Sequence, residues 1–367
     1  MFLRRIQSRK PSLAFFLALT AHVFPAWALP PAGTWPFQDG SLLVSGASSD
    51  LRFDFAFVPF LDTAPAWVPA YPRPYGEAAE DVRPLQGLGG GLRLGTVDSS
   101  GAFIPFSASA LSPQGRSPYS AAFAVSSGQF EGTLAWTTGM DHPGMIFEIR
   151  NSGGAEARLE LNLQTVPLRT LWATPAKKEK RDWGIPGHEW KSEERILLHA
   201  QGNPLDATHS FVSALWFGEV GANWKGRDLE AVHEGASWRV HVTIPSGESI
   251  RFGFLHSDNE GILKAELSEL RGEKIDFSAF AAKWSAWVTE RIREIATRIP
   301  LEPDSFSPRE RKVLEDNLIQ TRLLFLSNGG LLSRAMTLAD FPLALRDQSI
   351  ALRHWFDLGL KYPNLAR

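Results

Sequence analysis

Near one end of the sequence, in ALRDQSIALRHWFDLGLKYPNLAR (344–367), an Arg–Asp pair stands at the head of a helix-like pattern. Arg346 offers a rigid fork of N–H donors, and Asp347 offers oxygens that accept from paired hydroxyls. Such a pair can grip a terminal sugar without metal or redox chemistry. There is a plainer reading, in which Asp347 caps the following helix and Arg346 is a solvated neighbour. On residue chemistry alone the cap is favoured, because Asp is a common N-cap.

The second candidate group is aromatic. The chain carries 13 Trp, and a Trp face suits the apolar C–H face of a pyranose ring. Most of these Trp are expected to be packing. Trp183 and Trp190 stand apart because they lie in KKEKRDWGIPGHEWKSEER (177–195), a long polar segment that interrupts the strand pattern. Long loops in compact domains often carry function, so this one is a candidate to reach over a cleft. A solvated insertion is the favoured alternative.

Other chemistries find no support. There is no Cys, which excludes disulfides, thiolate metal sites, a thiol nucleophile and a lipid anchor at a cleavage site. The nine His form no H-E-x-x-H pattern, and no G-x-S-x-G elbow is present. GLGGGLRLG (87–95) lacks phosphate-loop spacing and reads as a flexible turn between strands. No metal and no cofactor are expected. Lys plus Arg is 38 against 40 for Asp plus Glu, a net charge of -2, which argues against a nucleic-acid partner.

Large elements must position these groups. With 367 residues the chain suits two domains. Residues 1–28 read as a signal peptide: a positive MFLRRIQSRK, an apolar LAFFLALTAHVF too short to span a bilayer, and an AWA site at Ala26 to Ala28. The mature chain is expected to start near Leu29, in the periplasm or outside the cell, with no membrane segment after cleavage.

From about Leu42 to Ser257 the pattern is strands and turns. LRFDFAFVPF (51–60) sets Phe53, Phe55 and Phe57 against Arg52, Asp54 and Ala56, a period of two. GMIFEIRNSGGAEARLELNLQTV (144–166) and SWRVHVTIPSGESIRFGFLHS (237–257) each read as strand, turn, strand. In the first, Asn and Gly are expected to supply positive φ. Many short strands without intervening helices predict an antiparallel sandwich over 29–275.

The period then changes. Phe277, Phe280, Ala281, Trp284, Trp287, Val288, Ile292 and Ile295 make one helical stripe over 276–298, with Asp276 as its cap. This linker helix occupies 276–300. A second helix starts with Ser307 as cap, Pro308 at its first position and Glu310 closing a capping box. Its expected apolar face is Val313, Leu314, Leu318, Leu324 and Phe325, and Asn328-Gly329-Gly330 is expected to end it. A third helix is expected over about 347–360. Two helices and a loop in 301–367 cannot enclose a core of their own.

This order, with SNGG…LRDQSIALRHWFDLGL (327–360), resembles the six-hairpin glycosidases of the glucoamylase and glucan-debranching type. The resemblance implies a mostly β fold: an antiparallel super-β-sandwich, then a linker helix, then the first helices of an (α/α)6 toroid. By the same resemblance, Ser327 to Gly330 match the turn entering the substrate loop, and Arg346 and Asp347 match the sugar-holding pair. A Trp often stands two positions before that Arg, and here the position is Ala344, which leaves subfamily and substrate open. The catalytic acid and base are implied to lie beyond this chain, which is then expected to be the truncated front part of a secreted glycoside hydrolase acting on glucan-type saccharides. Hydrolysis needs two carboxylates astride the bond, about 6.5–9.5 Å apart for inversion. The alternatives are a non-catalytic carbohydrate-binding or structural sandwich, and a phosphorylase of the same architecture. The signal peptide counts against the latter.

Overall fold

A computed structural model describes residues 33–37, 40–47, 50–57, 92–128, 130–140, 144–164, 169–173, 178–182, 187–202, 210–218, 229–234, 237–257, 260–272, 277–298 and 306–324. Two 8-stranded sheets face each other. The first runs β1 (Gly33–Phe37), β2 (Gly40–Ala47), β3 (Asp50–Phe57), β4 (Leu92–Val97), β10 (Ala157–Gln164), β17 (Ser237–Ile244) and β16 (Leu229–Glu234), with β5 (Phe103–Pro105) on β4. The second runs β13 (Gly187–Lys191), β14 (Ile196–Gly202), β15 (Ser210–Phe217), β18 (Ser249–Ser257), β9 (Gly144–Asn151), β8 (Phe130–Thr137), β7 (Ser120–Ser127) and β6 (Leu111–Ser117). A short ribbon pairs β11 (Arg169–Ala173) with β12 (Lys178–Asp182). Among the described residues neighbouring strands are antiparallel and the α-helices come only after the last strand, so the expected mostly-β sandwich followed by helices is what forms.

The period of two explains the layers. On β17, Trp238, Val240, Val242 and Ile244 are buried while the residues between them are half-exposed. On the neighbouring β10, Leu159, Leu161 and Leu163 are the register partners of Val242, Val240 and Trp238 and line the same core beside them. Trp136 sits at the centre, with Trp35 at 5.0 Å, Phe123 at 5.1 Å and Phe53 at 5.7 Å between ring centroids. Burying each such side chain stabilises the fold by about 1.5–3 kcal/mol, less the cost of ordering it.

Two strand–turn–strand units take an unexpected path. β9 and β10 lie in different sheets, and so do β17 and β18. Each turn is an arch that carries the chain across the sandwich, not a hairpin within one sheet. Alternation reports which residues face the core but not which strand is the partner. The two arches lock together. Asn151 is buried; its Nδ2 donates to the carbonyls of Ala155 (2.8 Å) and Ile244 (3.0 Å). Its Oδ1 accepts from the Gly153 amide at 3.0 Å, and Ser246 Oγ donates to the Gly153 carbonyl at 2.5 Å. With the turn held by this side chain, Gly153 and Gly154 need no positive φ; Gly247 of the other arch has one, at 81°.

The outer face of the second sheet carries its own apolar layer: Ile146, Ile196, Leu198, Val212, Ala214, Trp216 and Leu255. Leu263 and Leu267 of helix α1 (Glu260–Gly272) cover it, joined by Phe280 of α2 (Phe277–Arg298). Sequence reading did not place α1, although Leu263 and Leu267 stand four apart. The predicted linker helix is α2, with Asp276 outside the described residues. Trp284 is buried: its Nε1 donates to the Thr138 carbonyl at 3.0 Å and its ring stacks on Tyr119 at 5.5 Å. Trp287 is half-buried and meets Trp284 edge-on at 6.0 Å.

Helix α3 (Pro308–Leu324) begins with the predicted capping box. The Glu310 amide donates to Ser307 Oγ at 3.3 Å, and Glu310 Oε2 accepts from the Ser307 amide at 2.9 Å. Leu314 and Leu318 are buried as expected, with Ile319 and Leu323, but Val313 is exposed. The contact face is rotated towards 314, 318 and 322, so Val313 falls outside the stripe. Arg322 is also buried and donates to the Met140 carbonyl at 3.3 Å. Phe325, the 327–330 turn and the third predicted helix lie outside the described residues. The glycine-rich 87–95 segment is not wholly a turn: Leu92 to Gly95 belong to β4, paired with β10. Among the described residues no helix is long and apolar enough to cross a membrane.

Candidate functional site

Of the four residues singled out from the sequence, Arg346, Asp347 and Trp183 lie outside the described residues. Trp190 is described, and the structure corrects the loop reading around it. Lys178 to Asp182 form β12, and Gly187 to Lys191 form β13 paired with β14. In Gly-His-Glu-Trp-Lys the side chains alternate: His188 and Trp190 turn inwards, Glu189 and Lys191 outwards. The signal was there as a period of two, masked by the density of charge on a sheet edge. The β13–β14 turn spans Ser192 to Arg195, and Arg195 takes φ 55°, a left-handed conformation more usual for Gly or Asn.

β13 ends the second sheet and β16 ends the first, and the two edges close against each other. Trp190 packs on the core from β13, edge-on to Phe217 at 6.2 Å; Leu229 and Ala231 pack from β16. Beyond this apolar seam the closure is made of imidazoles. His188 of β13 is the register partner of His199 on β14, and their Nδ1 atoms are 3.3 Å apart. Across the gap, His233 of β16 brings its ring 5.7 Å from that of His188 and stacks at 4.7 Å on Trp238 of β17. The succession His199, His188, His233, Trp238 therefore joins both sheets through ring contacts.

The electrostatics vary along this row. His199 is fully buried, His188 is half-buried and His233 is exposed. Desolvation, and then the neighbouring His233, push the His188 pKa below its ordinary value of 6.5. Among the described residues no group of three or more His, Cys, Asp or Glu is placed to hold a metal ion. The arrangement can donate, accept and stack at the seam. Sequence reading missed these histidines because their chemistry appears only when two sheets meet.

A second polar pair lies on the outer face of the first sheet. Glu160 of β10 is buried, and its Oε2 is 2.8 Å from His241 Nε2 on β17. The other His241 nitrogen lies 3.5 Å from Arg158 Nη2 and 3.9 Å from Glu230 Oε2. Gly95, the register partner of Glu160 on β4, lets the Phe103 ring fold close over the strand. Residues on three strands thus gather around a hydrogen-bonded Glu160–His241 pair.

No family model matches this chain, and no curated protein matches it. Solved structures resemble it in part. One is a putative kojibiose phosphorylase from the human microbiome, 11% identical with a TM-score of 0.39, covering 68% of this chain and 34% of that one. Another is a family GH92 α-mannosidase from Bacteroides thetaiotaomicron, 9% identical with a TM-score of 0.40, covering 72% and 35%. A third is a polysaccharide lyase, 10% identical with a TM-score of 0.31, covering 65% and 35%. This chain spans about a third of the length of each, and likenesses this partial carry no conclusion about its activity.

Proposed function

We propose that this chain is the front part of a secreted carbohydrate-active enzyme of glycoside hydrolase type, acting on glucan-type oligo- or polysaccharides. The observation that supports this reading is the element order together with its docking. A two-sheet sandwich is followed by a helix seated on it through Trp284, then by a capped helix anchored through Arg322. The residues after that helix carry the LRDQ pattern. In this reading Arg346 and Asp347 hold the terminal sugar, Trp183 and Trp190 serve the substrate side, and the two carboxylates that cleave the bond are supplied elsewhere in the full enzyme. Gripping substrate and transition state equally does not raise turnover, so this chain alone is inactive.

The test uses the secreted chain and a series of glucan oligosaccharides. Intact mass is expected to show a start near Leu29. Calorimetry is expected to show weak binding without hydrolysis, and Asp347→Asn is expected to abolish that binding while keeping the helix cap, since Asn caps as well as Asp. Turnover by this chain alone overturns the assignment of roles. Binding that survives Asp347→Asn intact leaves Asp347 a cap, and points to the non-catalytic sandwich.

A further inference from the structure

We propose that the imidazole row His199–His188–His233 is a proton-sensitive latch, closing the edge of the sandwich at neutral pH and releasing it in acid. This is independent of the carbohydrate reading.

The latch sits where a small force has leverage. Among the described strands β13 and β16 are terminal, each bonded to one neighbour, and no backbone ladder joins them. The described contacts at the seam are side-chain ones: Trp190, Leu229 and Ala231 in the apolar part, and the rings of His188, His233 and Trp238 at the polar end.

The geometry admits few protons. Two Nδ1 atoms 3.3 Å apart share a hydrogen bond only when one carries a proton and the other a lone pair. Protonating both His188 and His199 points two N–H groups at each other inside the sandwich. Protonating His188 alone places a cation in a partly desolvated position beside the His233 ring. The rings that meet His188 are His199 from β14 and His233 from β16, and His233 stacks in turn on the neutral Trp238 from β17. Beyond His199, its register partner on β15 is buried Ser213. Glu189 and Lys191 point to the other face, where Lys191 lies 3.5 Å from Glu189 and 3.8 Å from Glu260.

The sign follows. With its folded-state pKa held below 6.5 by burial and by His233, His188 takes up its proton more readily once the edge is open. Closure is fully favoured above the ordinary value and weakens as pH falls below it. Because His188 and Trp190 share one short strand, opening the latch also frees Trp190.

Hydrogen exchange on the whole chain, at about pH 7.5 and about pH 5.5 and corrected for intrinsic rates, tests this across the range where His changes charge. In the wild type, segments 187–202 and 229–234 are expected to lose protection by about tenfold per unit of pKa separation, while β8 and β9 keep theirs. In His188→Phe, which keeps a ring without titrating, the selective acid loss is expected to vanish. If that variant does not fold, His233→Gln replaces it; removing the like charge narrows the pKa separation and is expected to make the acid loss smaller. Equal protection of both segments at the two pH values in the wild type overturns the proposal. So does a selective acid loss unchanged in either variant.

Discussion

The indole nitrogen of Trp284 donates to the carbonyl oxygen of Thr138 across 146 residues of sequence, at 3.0 Å in a buried site. Thr138 in turn donates its hydroxyl to the Gly144 carbonyl at 2.9 Å. One helix side chain thereby fixes the segment linking two central strands of the second sheet.

Trp284→Ala is expected to cost about 3–5 kcal/mol, the usual range for emptying a buried aromatic site. Trp284→Phe keeps a ring beside Tyr119 but strands the Thr138 carbonyl, and is expected to cost about 1–3 kcal/mol. Urea unfolding followed by circular dichroism measures both. A Trp284→Ala loss no larger than that of an exposed substitution on the same helix means that α2 is not docked.

Asn151 unites the two arches, so Asn151→Ala is expected to destabilise by at least about 2 kcal/mol, since the Ala155 and Ile244 carbonyls lose its donor while the Gly153 amide keeps only the Glu131 carbonyl. Asn151→Asp keeps the acceptor for the Gly153 amide but replaces the donors by a buried charge, and is expected to cost more. Chemical denaturation with the slope held constant separates this from a change in compactness.

Gly144→Ala is expected to cost about 1–3 kcal/mol. A methyl group there meets the Phe254 carbonyl oxygen of the neighbouring strand and the Leu255 side chain, and backbone has little room to yield. Gly154→Ala, where a methyl meets nothing within 4 Å, is the matched control and is expected to change the unfolding midpoint little.

The α3 capping box predicts an acid-sensitive helix start. The Ser307 side chain, and then its backbone amide, hold the Glu310 carboxyl below its ordinary value of 4.5. A carboxyl depressed on folding contributes stability that is present above the unfolded value and lost as pH falls through the folded one. Protection of the first-turn amides of α3, corrected for intrinsic exchange rates, is expected to fall as pH drops below about 4.5. Glu310→Gln is expected to flatten that dependence, because an amide keeps a hydrogen bond to Ser307 but does not titrate.

Local period and local chemistry were legible from the residues alone. Alternation of Trp238, Val240 and Val242 with Arg239 and His241 specified a strand and its inward face. The Phe280–Trp284–Val288–Ile295 stripe specified a helix and its buried side, and Ser307 with Glu310 specified where the next helix starts. The tertiary structure alone decided pairing. A period of two is satisfied equally by a hairpin and by an arch, so only the meeting of distant strands assigned β9 and β10 to opposite sheets. The same reason hid the seam. His188, His199 and His233 belong to three strands, and nothing in their spacing foretells that their rings will line up. That depends on which edges of the two sheets come to face each other, and edge choice is settled by burial of the whole core.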